Sequence, residues 1–243
     1  TAEKAAKGVI FEVCRGNAHM LSRVNIDLEE GAEVKLVMLL EPSENGLVRH
    51  EVRAECGVNS HIHIMTVMIG SGDIYSDDHV TLSGDGARFD ADTAYLGKNS
   101  QTIDYNIVAD HFGKKTESLI TVNGALTDSA KKVFRGTIDF KKGSADSVGS
   151  ENETVLMLGD DVVNKTVPLI LCAEENVEGT HGATIGELDA DTMFYFESRG
   201  IDRETAEKIM AYAAVERLIH MAEDSEFAAE VEKDMGIKTD TEE

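Results

Sequence analysis

The chain has 243 residues, with 23 Lys and Arg against 46 Asp and Glu, a formal charge of −23 at neutral pH. A surface that acidic repels phosphate backbones and anionic headgroups, which makes nucleic acid and membrane surfaces poor partners. The length suits one large domain, or one domain with an appendage, that buries its core without cross-links.

The three cysteines, Cys14, Cys56 and Cys172, are widely separated and odd in number. They form neither a disulfide framework nor a CxxC pair, so a reducing, cytoplasmic setting is expected. No apolar run approaches the roughly 18 residues that span a bilayer. The opening "TAEKAAKGVIF" lacks the basic and then continuously apolar pattern of a signal peptide. Its first residue is Thr1 rather than Met, which leaves room for residues upstream.

From about Val9 to Leu188, short segments alternate between apolar and polar residues. Residues 32–40 put Val34, Leu36, Met38 and Leu40 on one face, and residues 61–69 do the same with Ile62, Ile64, Thr66 and Met68. Segments 104–110, 118–124 and 133–140 continue the pattern. The predicted turns are "NG" at 45, "GSGD" at 70, "SGDG" at 83, "GKNS" at 97, "NG" at 123 and "KKGSADS" at 141. Strands and turns at this spacing imply an all-β architecture: sandwich, barrel or β-solenoid. No segment reads as a crossover helix and the strands are similar in length, which favours the solenoid.

After residue 188 the period becomes helical. Asp189 or Asp191 is placed to cap a short helix, and Arg199 followed by Gly200 to stop it. Asp202 caps a longer segment in which Ala206, Ile209, Met210, Ala213 and Leu218 fall near one face. A further helix runs to about Asp234, and "KTDTEE" (238–243) has the composition of a frayed end. The expected division is a β unit over 1–188 and a helical subdomain over 189–243.

Few residues carry an obvious chemistry. His61 and His63, two apart on a strand, share a face and could chelate, but no third ligand accompanies them. Cys172 precedes His181 by nine residues. It is either a small buried hydrophobe or, as a thiolate near an imidazole, a ligand for iron or zinc. Cys14 and Cys56 are expected as buried filler. There is no GxSxG elbow, no phosphate loop and no GxGxxG opening a helix.

Two stretches carry a resemblance: "KKVFRGTIDFKKGSADSVGSENETVLMLGDD" (131–161) and "VPLILCAEENVEGTHGATIGELDADTMFYFESRGI" (167–201), followed by "ETAEKIM". Over about 100 residues they resemble the core of the SufB/SufD family, the scaffold subunits of the Suf iron–sulfur cluster assembly system. The first 130 residues agree only in character. The resemblance implies a right-handed parallel β-helix capped by C-terminal helices and a cytoplasmic complex with a SufC-type ABC ATPase that grips those helices. It also implies pairing with a second SufB/SufD-type subunit, a copy of itself or a different one. Clusters would be assembled transiently at the pairing interface.

His181 matches the histidine of the "HGAT" block that faces this interface in SufD-type members, although a histidine at a β-to-helix junction also suits a purely structural hydrogen bond. SufB-type members carry Glu after that histidine. Here the residue is Gly182, so the chain is SufD-like at this point. The SufB-type interface cysteine has no counterpart in "LMLGDDVVNKTVP", and Cys172, past Pro168, is not that residue. The expected metal-facing set is His181 with Cys172 and Glu178, and the expected role is that of an assembly protein rather than an enzyme.

Two other functions compete. One is a β-solenoid carbohydrate-active enzyme using clustered carboxylates. The other is a metal-storage or sensing module using His61 and His63.

Overall fold

The computed structural model describes residues 1–235, and the expected frayed tail at 238–243 lies outside them. The β region contains β1 (Lys7–Gly16), β2 (His19–Leu28), β3 (Glu33–Pro42), β4 (Leu47–Cys56), β5 (His61–Met68), β6 (Asp73–Leu82) and β7 (Arg88–Gly97). It continues with β8 (Thr102–His111), β9 (Glu117–Leu126), β10 (Lys131–Phe140), β11 (Ser147–Met157), β12 (Val163–Cys172) and β13 (Val177–Gly186). Three helices follow: α1 (Ala190–Glu197), α2 (Arg203–Met221) and α3 (Ser225–Asp234).

Odd-numbered strands stack into a seven-stranded parallel sheet and even-numbered strands into a six-stranded one. The chain therefore winds as a β-solenoid of about six turns. Lys7 lies beside Glu33 and Lys131 beside Val163, so one turn takes between 26 and 32 residues. Several corners are turned by residues in the left-handed region, among them Asn59, Asn99, Asp128 and Asp146. Asn and Asp tolerate that conformation best after glycine.

Strand alternation sorts side chains into a lumen and an outer surface. Val34, Leu36, Met38 and Leu40 of β3 point inward, as do Ile62, Ile64, Thr66 and Met68 of β5, and all are buried. Inward residues of successive turns form rows, one of which reads Ile10, Leu36, Ile64, Ala91, Ile120, Glu151 and His181. The row is apolar until its last two members.

One expected turn is not a turn. Asn123-Gly124 lies inside β9, where Gly124 is the partner of Tyr95 on β7. A Cβ on Gly124 would overlap the Tyr95 ring. The glycine is there to admit a large aromatic side chain into a narrow lumen, not to reverse the chain.

Helices α2 and α3 lie against the outer face of the seven-stranded sheet, where Val37, Leu39, Met65, Val67 and Ala94 meet Val215, Leu218, Ile219, Phe227 and Val231 in a second core. Asp189, Asp202 and Asp224 cap the three helices by accepting from the backbone N–H of Thr192, Thr205 and Phe227. Gly200, with φ +76°, follows the end of α1. The expected buried face of α2 needs correction: Ala211, Val215, Leu218 and Ile219 are buried, whereas Ile209 is 41% exposed and Ala213 is exposed. At 100° per residue, Ile209, Met210 and Ala213 fall on the side of the helix away from Val215. Alanine and methionine on both sides made the choice of face ambiguous. Arg15 ties α3 to the first turns, reaching Glu41 (2.5 Å), Glu230 (2.6 Å) and Asp234 (2.5 Å).

Candidate functional site

The final strands β12 and β13 are edge strands of their sheets, so the lumen opens at this end. His181 sits on β13 as the register partner of Glu151 on β11 and is exposed. Its inward position follows from the parity of the strand. Gly179, two residues earlier, packs toward Ile170 and Phe140, while Gly182 faces Asn152 outside.

Beneath His181 the lumen is polar. Glu151 and Glu153 are each 2% exposed, and Lys132 is fully buried. Lys132 donates to Glu153 Oε1 and to Thr166 Oγ1 (3.1 Å), and Thr166 donates to Glu153 Oε2 (2.6 Å), which closes a small network. Burial lowers the Lys132 pKa, with the Glu153 carboxylate opposing. Glu151 stands outside this network. Burial, then repulsion from Glu153, raises its pKa to about 7, against the pull of Lys132. Gly136 makes room for it, since a Cβ there would collide with the Glu151 carboxyl.

Cys172 ends β12 as the partner of Phe140, again on the inward side, but it is exposed because no further turn covers it. Of the two alternatives for Cys172, the small buried hydrophobe therefore fails, whereas Cys14 and Cys56 are buried as expected. Glu178 pairs in register with Val148, which is 43% exposed on the outer face, so Glu178 and His181 point to opposite sides of β13. Among the described residues, no group of three or more His, Cys, Asp or Glu is disposed to hold a metal ion. His181, Cys172 and Glu178 do not form a closed ligand set within one chain.

His61 and His63 do share a face, with rings stacked 6.5 Å apart, but each is bound to a carboxylate of the next turn. His61 pairs with Asp90 and His63 with Asp92, both at 2.8 Å. Other outer-face carboxylates are similarly engaged, Asp104 by Arg135 and Asp110 by His79 and Lys141. These four carboxylates bridge neighbouring turns.

A second polar cluster occupies the lumen of the first turns. Glu12 accepts from Ser22 and bonds His50 (3.0 Å), and Cys14 lies 3.7 Å from the same carboxyl. Burial pushes the Cys14 thiol up to about 11, the Cys56 thiol to about 12 and the nearby Asp78 carboxyl to about 6.

Sequence reasoning missed Glu151, Glu153, Lys132 and Thr166. The signal was present in "SVGSENETVLM", whose alternation places Gly149, Glu151, Glu153 and Val155 on one side. Charged residues at alternate positions read as a solvated face, and here that face is the lumen.

These features define an all-β solenoid flanked by helices, with an ionisable cluster at one open end. Residues 1–214 match the family described as "SUF system FeS cluster assembly, SufBD core domain". The chain is 31% identical over 156 residues to the iron–sulfur cluster assembly protein SufD of Bacillus subtilis, covering 64% of this chain and 36% of that protein. It is 24% identical over 239 residues to an iron–sulfur cluster assembly SufBD family protein of Pyrococcus horikoshii, covering 96% and 52%. The SufD of Escherichia coli is 28% identical over 99 residues, covering 41% and 23%. The chain belongs to the SufB/SufD family of iron–sulfur cluster assembly proteins. It spans 23% to 52% of the length of these three relatives. Among the described residues no helix is long and apolar enough to cross a membrane.

Proposed function

We propose that this chain is a cytoplasmic, non-enzymatic scaffold subunit that pairs with a second SufB/SufD-type subunit and presents His181 where an iron–sulfur cluster is assembled. The observation that carries this reading is the position of His181, exposed on the last turn above a buried polar lumen. The imidazole and the exposed Cys172 thiol at the same end are donors that suit iron. With no closed ligand set among the described residues, the remaining donors come from the paired subunit. The cluster is cargo, held in transit.

Pairing is supported by the edge itself. β12 carries Val163, Val167, Leu169 and Leu171 on its outer side, 37% to 46% exposed, next to unpaired backbone groups. Such an edge accepts another strand. Whether the partner is a copy or a SufB-type subunit follows from mixing the two. The functional division is 1–188 for cargo and pairing and 189–243 for the motor. A SufC-type ABC ATPase would dock on the helices, where Phe194 (72%), Tyr195 (54%) and Ile209 (41%) are exposed. Three free cysteines fit a reducing compartment.

The test is anaerobic cluster reconstitution with the paired subunit and ATPase present. His181→Ala is expected to lose most of the cluster absorbance while still pairing. Full cluster formation by the variant would contradict the reading.

A further inference from the structure

Among the described residues Glu151 has no hydrogen-bond partner to justify its burial. The residue is 2% exposed. Burial and the charges of Glu153 and Lys132 act on it, but no hydrogen bond does. The Lys132 ammonium is already committed to Glu153 and Thr166. A carboxylate held there without a hydrogen bond is costly, and either a proton or a cation relieves it.

Two features keep this carboxylate available. Gly136, on the opposite wall, leaves the volume its carboxyl occupies. The turn above consists of edge strands only, and the residue directly over Glu151 is His181, whose side chain is open to solvent. Register partners in adjacent parallel strands lie about 5 Å apart. Side chains of that length, on the same side of the sheet, can converge on one ion.

We propose that Glu151 and His181 together form a divalent-cation site at the open end of the solenoid, the buried carboxylate receiving the ion from the lumen side and the imidazole from the solvent side. The site rests on the reading of iron as cargo and adds to it a ligand within this chain. It offers one nitrogen and one or two oxygens, a donor set suited to Fe2+, Mn2+ or Co2+ that keep water on their remaining positions. Two protein donors hold an ion only weakly, which suits an ion in transit. Glu178, on the outer face, takes no part.

The experiment is anaerobic titration of the full chain with Co2+, followed by its visible absorption and by calorimetry. Glu151→Gln preserves shape and removes the charge, and Glu151→Asp keeps the charge but withdraws it by one methylene. Glu151→Gln is expected to weaken Co2+ binding at least tenfold, Glu151→Asp by less, His181→Ala at least tenfold and Glu178→Gln not at all, with far-UV circular dichroism unchanged throughout. Binding by Glu151→Gln equal to the parent overturns the site. If His181→Ala alone weakens binding, the Glu151 assignment fails while the scaffold reading stands. Binding that neither variant alters also overturns the site, and ATPase docking then tests the scaffold reading separately.

Discussion

Gly124 faces the ring of Tyr95 across adjacent strands of the same sheet, and the space a methyl group would need is already filled by that ring. Tyr95 cannot retreat. It is fully buried, 6.1 Å from Tyr105, which in turn stacks on Phe134 at 4.7 Å. Gly124→Ala should therefore cost about 1–3 kcal/mol, the usual cost of overpacking. Urea unfolding measures it directly. A neutral result would mean the lumen is looser than described.

The Lys132–Glu153 pair predicts an asymmetric response to mutation. Both groups are fully buried. Lys132→Met strands the carboxylate and should cost about 3–5 kcal/mol, whereas Lys132→Met combined with Glu153→Gln should recover most of that. A double-mutant cycle by chemical denaturation checks the coupling. Additive losses would mean that the two charges do not interact.

Asp78 sets a pH dependence. Burial pushes its folded pKa to about 6, from 3.8 in an unperturbed chain. Between those values the folded state holds a proton that the unfolded state has released, so stability falls as pH rises through this window and levels off above it. Asp78→Asn should be more stable than the parent by about 3 kcal/mol at pH 7, and by well under about 1 kcal/mol at pH 4. Thermal melts at the two pH values decide it, and an equal gain at both would contradict the assignment.

The cysteines should differ in reactivity. Cys172 is exposed, while the Cys14 and Cys56 thiols are buried and held at about 11 and 12. A thiol-specific reagent at pH 8 should modify one group per native chain quickly, with the other two following only on unfolding. Rapid modification of all three in native protein would contradict the burial.

Much of the fold was legible because a solenoid strand announces itself by period two. The inward rows of β3 and β5 are the residues that alternation selects, Val34 through Leu40 and Ile62 through Met68. Alternation fails where the lumen breaks its own rule. Glu151 and Glu153 occupy core positions, and only the neighbouring turn, with Lys132, Thr166 and Gly136, explains how carboxylates fit there. Gly124 reads as half of a turn because its partner Tyr95 is 29 residues away. Of the expected site, strand parity separates Glu178 from His181. The exposure of Cys172 needed the knowledge that β12 is the last strand of its sheet.

The scaffold account is tested most directly by binding of a SufC-type ABC ATPase to this chain. Removing α2 and α3 would uncover Val37, Leu39, Met65 and Val67, so deletion confounds loss of docking with loss of folding. Phe194→Glu and Ile209→Glu alter only exposed positions and avoid this. Titration of the ATPase by calorimetry should give binding to the parent chain and a loss of at least tenfold in the double variant, with unchanged melting. Absence of binding by the folded parent chain, or binding indifferent to both substitutions, would contradict the account.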